Sequence, residues 1–268
     1  MKPGIRLAIV IFLAVACMGC SDTEARRPGT ISVASRSPSQ SDIPEGASKL
    51  IRAYPDFHLA YKDNLIVFSD GTAITYDDHK KKSFVELMDN SDIKDMFSMK
   101  YDRNWTTPPY LSDAGRSRND QFFKKMYGNS AAAVAHHLVN VNWFGSTIRF
   151  TTVNGAAKHL RDVAREIARH PKLRKYMAQS SSFYWRKVRG ANRQSAHSYG
   201  IAIDICTKYS NFWLWSNPGK KETDRLKYEN RIPEALVRIF ERHGFIWGGH
   251  WYHFDTMHFE YRPELLLP

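Results

Sequence analysis

Cysteine is scarce in this chain, and its scarcity excludes one common way of stabilising an exported protein. The 268 residues include three cysteines, Cys17, Cys20 and Cys206. Two of them lie in the N-terminal segment, so Cys206 stands alone in the remainder and cannot form an intramolecular disulfide there. Stability must therefore come from packing or from a metal ion. We interpret Cys206 itself as a small apolar strand residue rather than as a nucleophile or ligand.

A long apolar run is also missing. The N-terminal run, Leu7 to Ala16, has ten apolar residues and is too short to span a bilayer. Because Lys2 and Arg6 precede it and small residues follow, we predict a signal peptide over residues 1–20. The Gly19-Cys20 junction resembles the lipobox of bacterial lipoproteins, which implies acylation of Cys20 and a membrane anchor.

Two alternatives remain at this end of the chain. Cys17 follows Ala-Val-Ala and is a second possible acylation site. Plain secretion without a lipid is the other alternative. In each case the mature protein works outside the cytoplasm, in the cell envelope.

Acidic residues are too few to balance the basic ones. The formal net charge is +12, of which Lys2 and Arg6 account for two. Basic and aromatic residues do not cluster at the spacing typical of nucleic-acid binding, so we predict no nucleic-acid partner. A basic exported protein instead suits an anionic wall polymer or membrane surface.

The first half of the chain is predicted to contain a linker and a mixed region. Residues 21–49 are rich in Ser, Pro, Arg and Gly and predict a flexible linker. Residues 50–150 predict an N-terminal α+β region that packs on the catalytic part or caps it. Within it we expect a hairpin over 64–76, short helices at 84–89 and 92–97, and a long loop or cover over 99–128.

The second half, residues 151–268, is predicted to be the catalytic domain. Apolar residues recur at helical spacing from Ala156 to Ala168, and a second helix begins at Pro233 and stops at Gly244. Strands are expected at 146–153, 201–205 and 253–261. The order indicates an α+β fold without internal repeats.

Two motifs in the last third carry the chemistry. The first is S195-A-H-S-Y-G-I-A-I-D204, which ends an apolar strand on a carboxylate. The second, W247-G-G-H-W-Y-H-F-D-T-M-H-F-E-Y261, contains His258. His197, Asp204 and His258 offer the imidazole and carboxylate donors that zinc accepts, and three protein ligands leave a fourth position open for catalysis. A metal would also compensate the charge of Asp204, so removal of the metal is expected to lower the stability of the protein.

Together the motifs resemble the zinc D-alanyl-D-alanine peptidases of the VanX and VanY type and the related phage endolysins that cut the L-alanyl-D-glutamate bond. The resemblance is specific over about residues 180–264. It implies a small antiparallel sheet with flanking helices, a hedgehog/DD-peptidase-like zinc fold. It also implies one zinc ion bound by His197, Asp204 and His258.

The resemblance further implies two catalytic residues. Asp255, three residues before the last ligand, occupies the place of the general base; many members have glutamate there, and aspartate looks more like the endolysin branch. The family stabilises the oxyanion with an arginine upstream of the first motif. Arg186 is our first choice, followed by Arg193 and Arg189, with plain surface charge as the alternative.

Three residues near the ligands have supporting interpretations. Gly200 would allow a tight turn after His197. Ser195 would bind substrate or orient a ligand. Glu260 would accept a hydrogen bond from a ligand histidine, or would be an exposed strand residue.

The second motif also supplies a possible wall for the substrate cleft. Trp247, Gly248 and Trp251 resemble that wall in the family, with simple packing as an equal alternative. His250 and His253 do not fall on the ligand positions, and we interpret them as cleft or surface residues.

The predicted function is zinc-dependent hydrolysis of peptidoglycan stem peptides. A D-alanyl-D-alanine carboxypeptidase fits the family, whereas an L-alanyl-D-glutamate-type endopeptidase fits Asp255. A non-catalytic zinc-containing wall-binding module is the third alternative, because hedgehog signalling domains resemble these peptidases.

Overall fold

The computed structural model describes residues 43–104, 106–188 and 191–268, all within one compact unit. Its helices are α1 Glu45–Ala53, α2 Phe84–Asp89, α3 Asp120–Tyr127, α4 Ala131–Ala135, α5 Ala156–Ala168, α6 Trp213–Ser216 and α7 Glu234–Arg242. Its strands are β1 Ala60–Lys62, β2 Leu65–Val67, β3 Ala73–Thr75, β4 Leu138–Trp143, β5 Ser146–Thr151, β6 Ala202–Asp204, β7 Phe245–Trp247 and β8 His258–Tyr261. The mixture of helices with small antiparallel sheets confirms the α+β class.

The first described helix begins within the predicted linker. Helix α1 starts at Glu45, whereas the linker is predicted to extend to residue 49. Packing explains the difference, since Ala47 and Leu50 are fully buried in the core. The predicted signal peptide (1–20), with Cys20, lies outside the described residues, and the division at residue 150 stays a prediction.

The predicted hairpin over 64–76 is present and has a third strand. Strands β1, β2 and β3 form an antiparallel sheet in sequence order, with Ile66 opposite Ile74. Both isoleucines are buried, while their neighbours on β3 point outward. This alternation is the pattern of a sheet with one face on the core.

Residues 130–142 are helical in composition, although their Val-Asn-Val-Asn end also fits a strand, and a second hairpin begins within them. Helix α4 ends at Ala135, and β4 pairs with β5 across a turn at Phe144 and Gly145. Both turn residues have positive φ, 43° and 87°, as a two-residue type I′ hairpin requires. The end of this segment forms a strand and not a helix, and alternate residues of that strand, Val141 and Trp143, are buried.

Of the two long predicted helices, α7 packs on the third sheet, and α5 packs on α7 and on the β4-β5 hairpin. Leu160, Val163 and Ile167 form the buried stripe of α5, as the periodicity predicts. The sheet has the order β6-β8-β7, antiparallel throughout, so β8 is its central strand. On α7, Phe240 stacks on Phe259 of β8 with a centroid distance of 3.8 Å. The strand that carries His258 is thus held on both edges and on one face.

Two predicted elements are shorter or tighter than expected. The 92–97 segment forms a 3-10 turn over Lys94–Phe97, and the last strand covers only His258–Tyr261. In the described part of the chain, no helix is both long and apolar enough to cross a membrane.

Candidate active site

Three predicted ligands meet at one end of the third sheet. Asp204, the last residue of β6, is paired in register with His258, the first residue of β8. His197 lies on the 3-10 turn Ala196–Tyr199 that leads into β6. The Nε2 atom of His197 is 3.2 Å from Nδ1 of His258 and 3.1 Å from Oδ1 of Asp204. The third side of this triangle, from His258 Nδ1 to Asp204 Oδ1, is 3.0 Å.

Gly200 provides the sharp turn between His197 and β6. Its φ of 66° lies in the left-handed region, where side chains are strained. A Cβ atom at this position would lie 2.5 Å from Cδ2 of Leu138. Both the turn and the close packing on β4 therefore require glycine, as the sequence predicts for the turn.

Each of the two histidine rings is oriented by a hydrogen bond from the ring nitrogen that faces away from the triangle. Nδ1 of His197 lies 2.8 Å from the carbonyl oxygen of Ser182, and Nε2 of His258 lies 3.3 Å from Oε2 of Glu260. Carbonyl and carboxylate oxygens only accept hydrogen bonds, so each of these nitrogens donates. When both rings are neutral, the inward nitrogens, His197 Nε2 and His258 Nδ1, therefore present lone pairs to each other and to Asp204.

This arrangement fits a cation. Two lone pairs and a carboxylate oxygen at about 3 Å repel one another unless a positive charge lies between them. The distances are close to the separation of about 3.3 Å between ligands about 2.0 Å from one tetrahedral Zn²⁺. Burial alone would lower the pKa of His258, but its bonds to Asp204 and Glu260 raise it to about 10. The donor set thus favours extra positive charge, which a metal supplies.

Asp255 lies beside the triangle. Its backbone N–H donates to the carbonyl of Gly248, and its own carbonyl accepts from the N–H of His258. Its side chain is half-buried, and among the described residues its Oδ1 atom has neither solvent access nor a hydrogen-bond partner. Burial and the negative charge of Asp204 raise the pKa of Asp255 to about 7. Such a carboxyl group can take up and release a proton near neutral pH.

A buried charge network lies behind His258. Glu260 is fully buried and bonds Nε2 of His258, Arg118 Nη1 at 3.3 Å and Arg262 Nη1 at 3.0 Å. Burial would raise the pKa of Glu260, but the arginines and the bond from His258 lower it to about 2. Glu260 therefore orients the ligand, and the alternative of an exposed strand residue is wrong.

Sequence reasoning missed Arg118. It belongs to the segment expected as a loop or cover, and its guanidinium also donates to the carbonyl of Gly115 at 3.0 Å. Single arginines between small residues carry no pattern in a basic protein, so only the tertiary structure reveals its contact with Glu260.

The candidate oxyanion arginines differ in their surroundings. Arg186 is exposed, and in the described part of the chain no acidic side chain pairs with it. Arg193 is buried and forms an ion pair with Asp89. Burial and the nearby charges of two arginines lower the pKa of Arg193 to about 10. Arg189 lies outside the described residues.

The predicted cleft wall is largely interior. The indole N–H of Trp247 donates to the carbonyl of Thr256, and that of Trp251 donates to the carbonyl of Ala114. Both rings are buried, and Trp251 packs 5.3 Å from the ring of His258. The packing alternative accounts for these contacts, and little of either indole is accessible to a substrate.

Gly248 and Ser195 both form backbone hydrogen bonds to neighbouring segments. The carbonyl of Gly248 accepts from Asp255, and a Cβ atom on Gly248 would come 2.5 Å from the Asp255 carbonyl oxygen. Ser195 is buried, and its N–H donates to the carbonyl of Arg186. A substrate contact for either residue stays a prediction.

His250 and His253 face carboxylates of their own. His250 Nε2 lies 3.5 Å from Oε1 of Glu241. His253 is fully buried, with Nδ1 on Asp113 and Nε2 on the carbonyl of Glu222. Neither belongs to the ligand triangle.

Two exposed aromatic side chains flank the site and were also missed. Tyr184, whose N–H bonds the carbonyl of His197, is 66% exposed. Trp215 is 61% exposed and lies one helical turn beyond Phe212, whose backbone bridges to Asp255. A sequence rich in aromatic residues does not show which rings are exposed, so only the structure identifies these two.

Comparison with known families matches residues 189–261 to a family model described as D-alanyl-D-alanine carboxypeptidase. The matched segment includes the three ligands, Asp255 and Glu260. No curated protein and no solved structure matches the chain.

Proposed function

We propose that this protein removes terminal D-alanine from peptidoglycan stem peptides in the bacterial envelope, since residues 189–261 match a family model described as D-alanyl-D-alanine carboxypeptidase. The observation that carries the proposal is the triangle of His197 Nε2, Asp204 Oδ1 and His258 Nδ1, with both outward ring nitrogens already bonded. The proposal includes the hedgehog/DD-peptidase-like arrangement of the fold.

One zinc ion would be held by His197, Asp204 and His258. Its Lewis acidity would lower the pKa of water, so that water can lose a proton at neutral pH and attack a peptide carbonyl. Glu260 and the Ser182 carbonyl keep the two rings in the binding orientation. With three protein ligands the fourth position is left for water and substrate.

Asp255 is the proposed general base and acid. Its unpartnered Oδ1 would accept a proton from the attacking water and return that proton to the departing D-alanine amine. The raised pKa reflects burial and the charge of Asp204, and a dication at the ligands acts in the opposite direction. The carboxylate is then ionised at neutral pH, as a base must be.

Arg186 is the proposed oxyanion-stabilising residue. Its backbone is fixed because its N–H donates to Ser198 Oγ and its carbonyl accepts from Ser195. Among the arginines described around the site, Arg118 and Arg193 are neutralised by Glu260 and Asp89. Arg186 thus retains an uncompensated guanidinium for the substrate.

Mass spectrometry of muropeptides tests this function. The zinc-loaded protein should release terminal D-alanine from stem pentapeptides, and Asp255→Ala should abolish the release. Glu234→Gln, on the exposed end of α7, serves as the matched control and should keep full activity. Failure to cleave any stem peptide with zinc bound would instead support the wall-binding module.

An L-alanyl-D-glutamate endopeptidase is the second candidate, because Asp255 stands where many carboxypeptidases have glutamate. The same experiment separates the two. A cut after L-alanine leaves the terminal D-alanine attached and yields a shortened stem, whereas carboxypeptidase action changes the mass by one alanine residue.

We also propose that the protein is exported and anchored by a lipid on Cys20. The support is the sequence alone, with its short apolar run and Gly19-Cys20 junction. Labelling of cells with a palmitate analogue should mark the wild type and not Cys20→Ser. Loss of label in Cys17→Ser alone would move the anchor to Cys17.

A further inference from the structure

A second group of metal-ligand side chains lies away from the candidate active site. His159 and Asp162 are on α5, and His243 follows the last residue of α7. Each of the three offers a ligand atom, and these atoms lie within 4.8 Å of one another. All three residues are half-buried.

The fold brings these residues together for reasons independent of a metal. His159 and Asp162 are three residues apart and therefore share one face of α5. That face packs against α7, whose C-terminal end presents His243. The ring of His159 is stacked on Tyr261, at 5.2 Å between centroids, which limits its rotation.

A fourth group, Glu166, holds His243. It lies one turn beyond Asp162 on α5, and its Oε2 atom is 2.9 Å from Nε2 of His243. Because a carboxylate only accepts, Nε2 of His243 donates this bond. A carboxylate that fixes a histidine ring in this way is the usual partner of a metal-binding imidazole.

We propose that His159, Asp162 and His243 form a second, structural binding site for a divalent transition-metal ion such as Zn²⁺. Two imidazoles and a carboxylate are ligands that zinc accepts, and hard ions such as Mg²⁺ prefer oxygen alone. The ion would join α5 to the end of α7. The site is separate from the triangle of His197, Asp204 and His258, so it stands whether or not the proposed peptidase activity does.

Two cations now compete for Asp162. Its carboxylate is 3.3 Å from Nζ of Lys158 and also contacts Arg165. The lysine and arginine side chains are 74% and 72% exposed. Exposed ion pairs are weak, so a divalent ion with three ligands displaces them.

The first test counts bound zinc by elemental analysis after equilibrium dialysis. The wild type should bind two ions per chain, and a His197→Ala/His258→Ala variant should retain one. His159→Ala/His243→Ala should also retain one ion while keeping the muropeptide activity of the wild type. Equal zinc content in the wild type and in His159→Ala/His243→Ala would overturn the proposal, whatever the triangle of His197, Asp204 and His258 binds.

The second test keeps all three proposed ligands of the second site, His159, Asp162 and His243, in place. Lys158→Gln removes a competitor for Asp162 and should tighten zinc binding at this site several-fold, measured by competition with a chelator in the His197→Ala/His258→Ala background. Lys220→Gln is the matched control, because Lys220 is exposed and lies outside α5. It should leave the zinc affinity of the second site unchanged. Equal affinities for all three proteins would argue against Asp162 as a ligand.

Discussion

Glu260 is a buried acid whose loss should be felt by the metal. Because its carboxylate accepts from Nε2 of His258, Glu260→Gln should weaken metal binding about 10- to 100-fold. A chelator-competition titration measures this affinity. Glu264→Gln is the matched control, since Glu264 lies in the same buried network but touches Arg262 and Tyr54 instead of a ligand. It should lower the free energy of unfolding and leave metal affinity near that of the wild type.

Arg186 is an exposed residue whose loss should affect catalysis and not folding. If Arg186 stabilises the oxyanion as proposed, Arg186→Ala should lower kcat about 100- to 1000-fold, because its charge is lost in the transition state. The substitution should leave the thermal unfolding midpoint within about 1 °C, since the side chain is exposed. Lys187→Ala, its exposed neighbour, should change neither quantity. Equal kcat for the wild type and Arg186→Ala would exclude this role.

Gly200 combines a strained backbone with close packing. Gly200→Ala should destabilise the protein by about 2–4 kcal/mol, because both the positive φ and the contact with Leu138 penalise a Cβ atom. Chemical denaturation measures the free energy of unfolding. Gly219→Ala separates the two causes: Gly219 has a φ of 79° but open space around it. Its substitution should cost only about 1 kcal/mol.

At the scale of elements, the segment before α3 is fastened over the second motif. Asp113 is fully buried and bonds both the backbone N–H and Nδ1 of His253. The carbonyl of Ser112 accepts from Tyr252, and that of Ala114 accepts from Trp251. Three consecutive residues thus hold this segment against the loop that carries Asp255.

Acid should loosen this attachment. Burial would raise the pKa of Asp113, but the charge of Arg116 and the bonds from His253 lower it below its ordinary value. Asp113 therefore contributes stability above about pH 3.9, and the contribution is lost as pH falls through its folded pKa. Asp113→Asn should cost about 1–3 kcal/mol at pH 7, and the gap from the wild type should narrow below about pH 3.9.

Unfolding free energies measured across pH check this expectation. Asp56→Asn, at an exposed position, is the control and should change the free energy by less than about 0.5 kcal/mol. A gap for Asp113→Asn that stays constant down to pH 2 would contradict the argument.

Elements with strong local signals were predictable, and contacts between elements were not. The bounds of α5 follow from its apolar spacing, and the grouping of His197, Asp204 and His258 follows from the two motifs that contain them. The contact of Tyr54 with Glu264 and that of Arg118 with Glu260 join residues more than 100 positions apart. A single sequence contains no local pattern for such partners.

For the whole molecule, the excess of basic residues should govern attachment to the wall. The formal net charge is +12, or +10 without Lys2 and Arg6 of the proposed signal peptide, so binding to anionic wall polymer should weaken as salt shortens the range of electrostatic attraction. Co-sedimentation with purified walls at about 0.05 and about 0.5 M NaCl measures the effect. Walls stripped of anionic polymer are the control, and salt-independent binding would contradict the expectation.

The buried network behind the site also limits how the protein can be divided. Tyr54, the residue that follows α1, bonds Glu264, which pairs with Arg262, and Arg262 bonds Glu260 next to the candidate ligand His258. A fragment trimmed to the family segment, residues 189–261, would lose three links of this chain and leave Glu260 short of its partners. The catalytic motifs are therefore not a portable module, and any transplant or truncation must keep α1 with them.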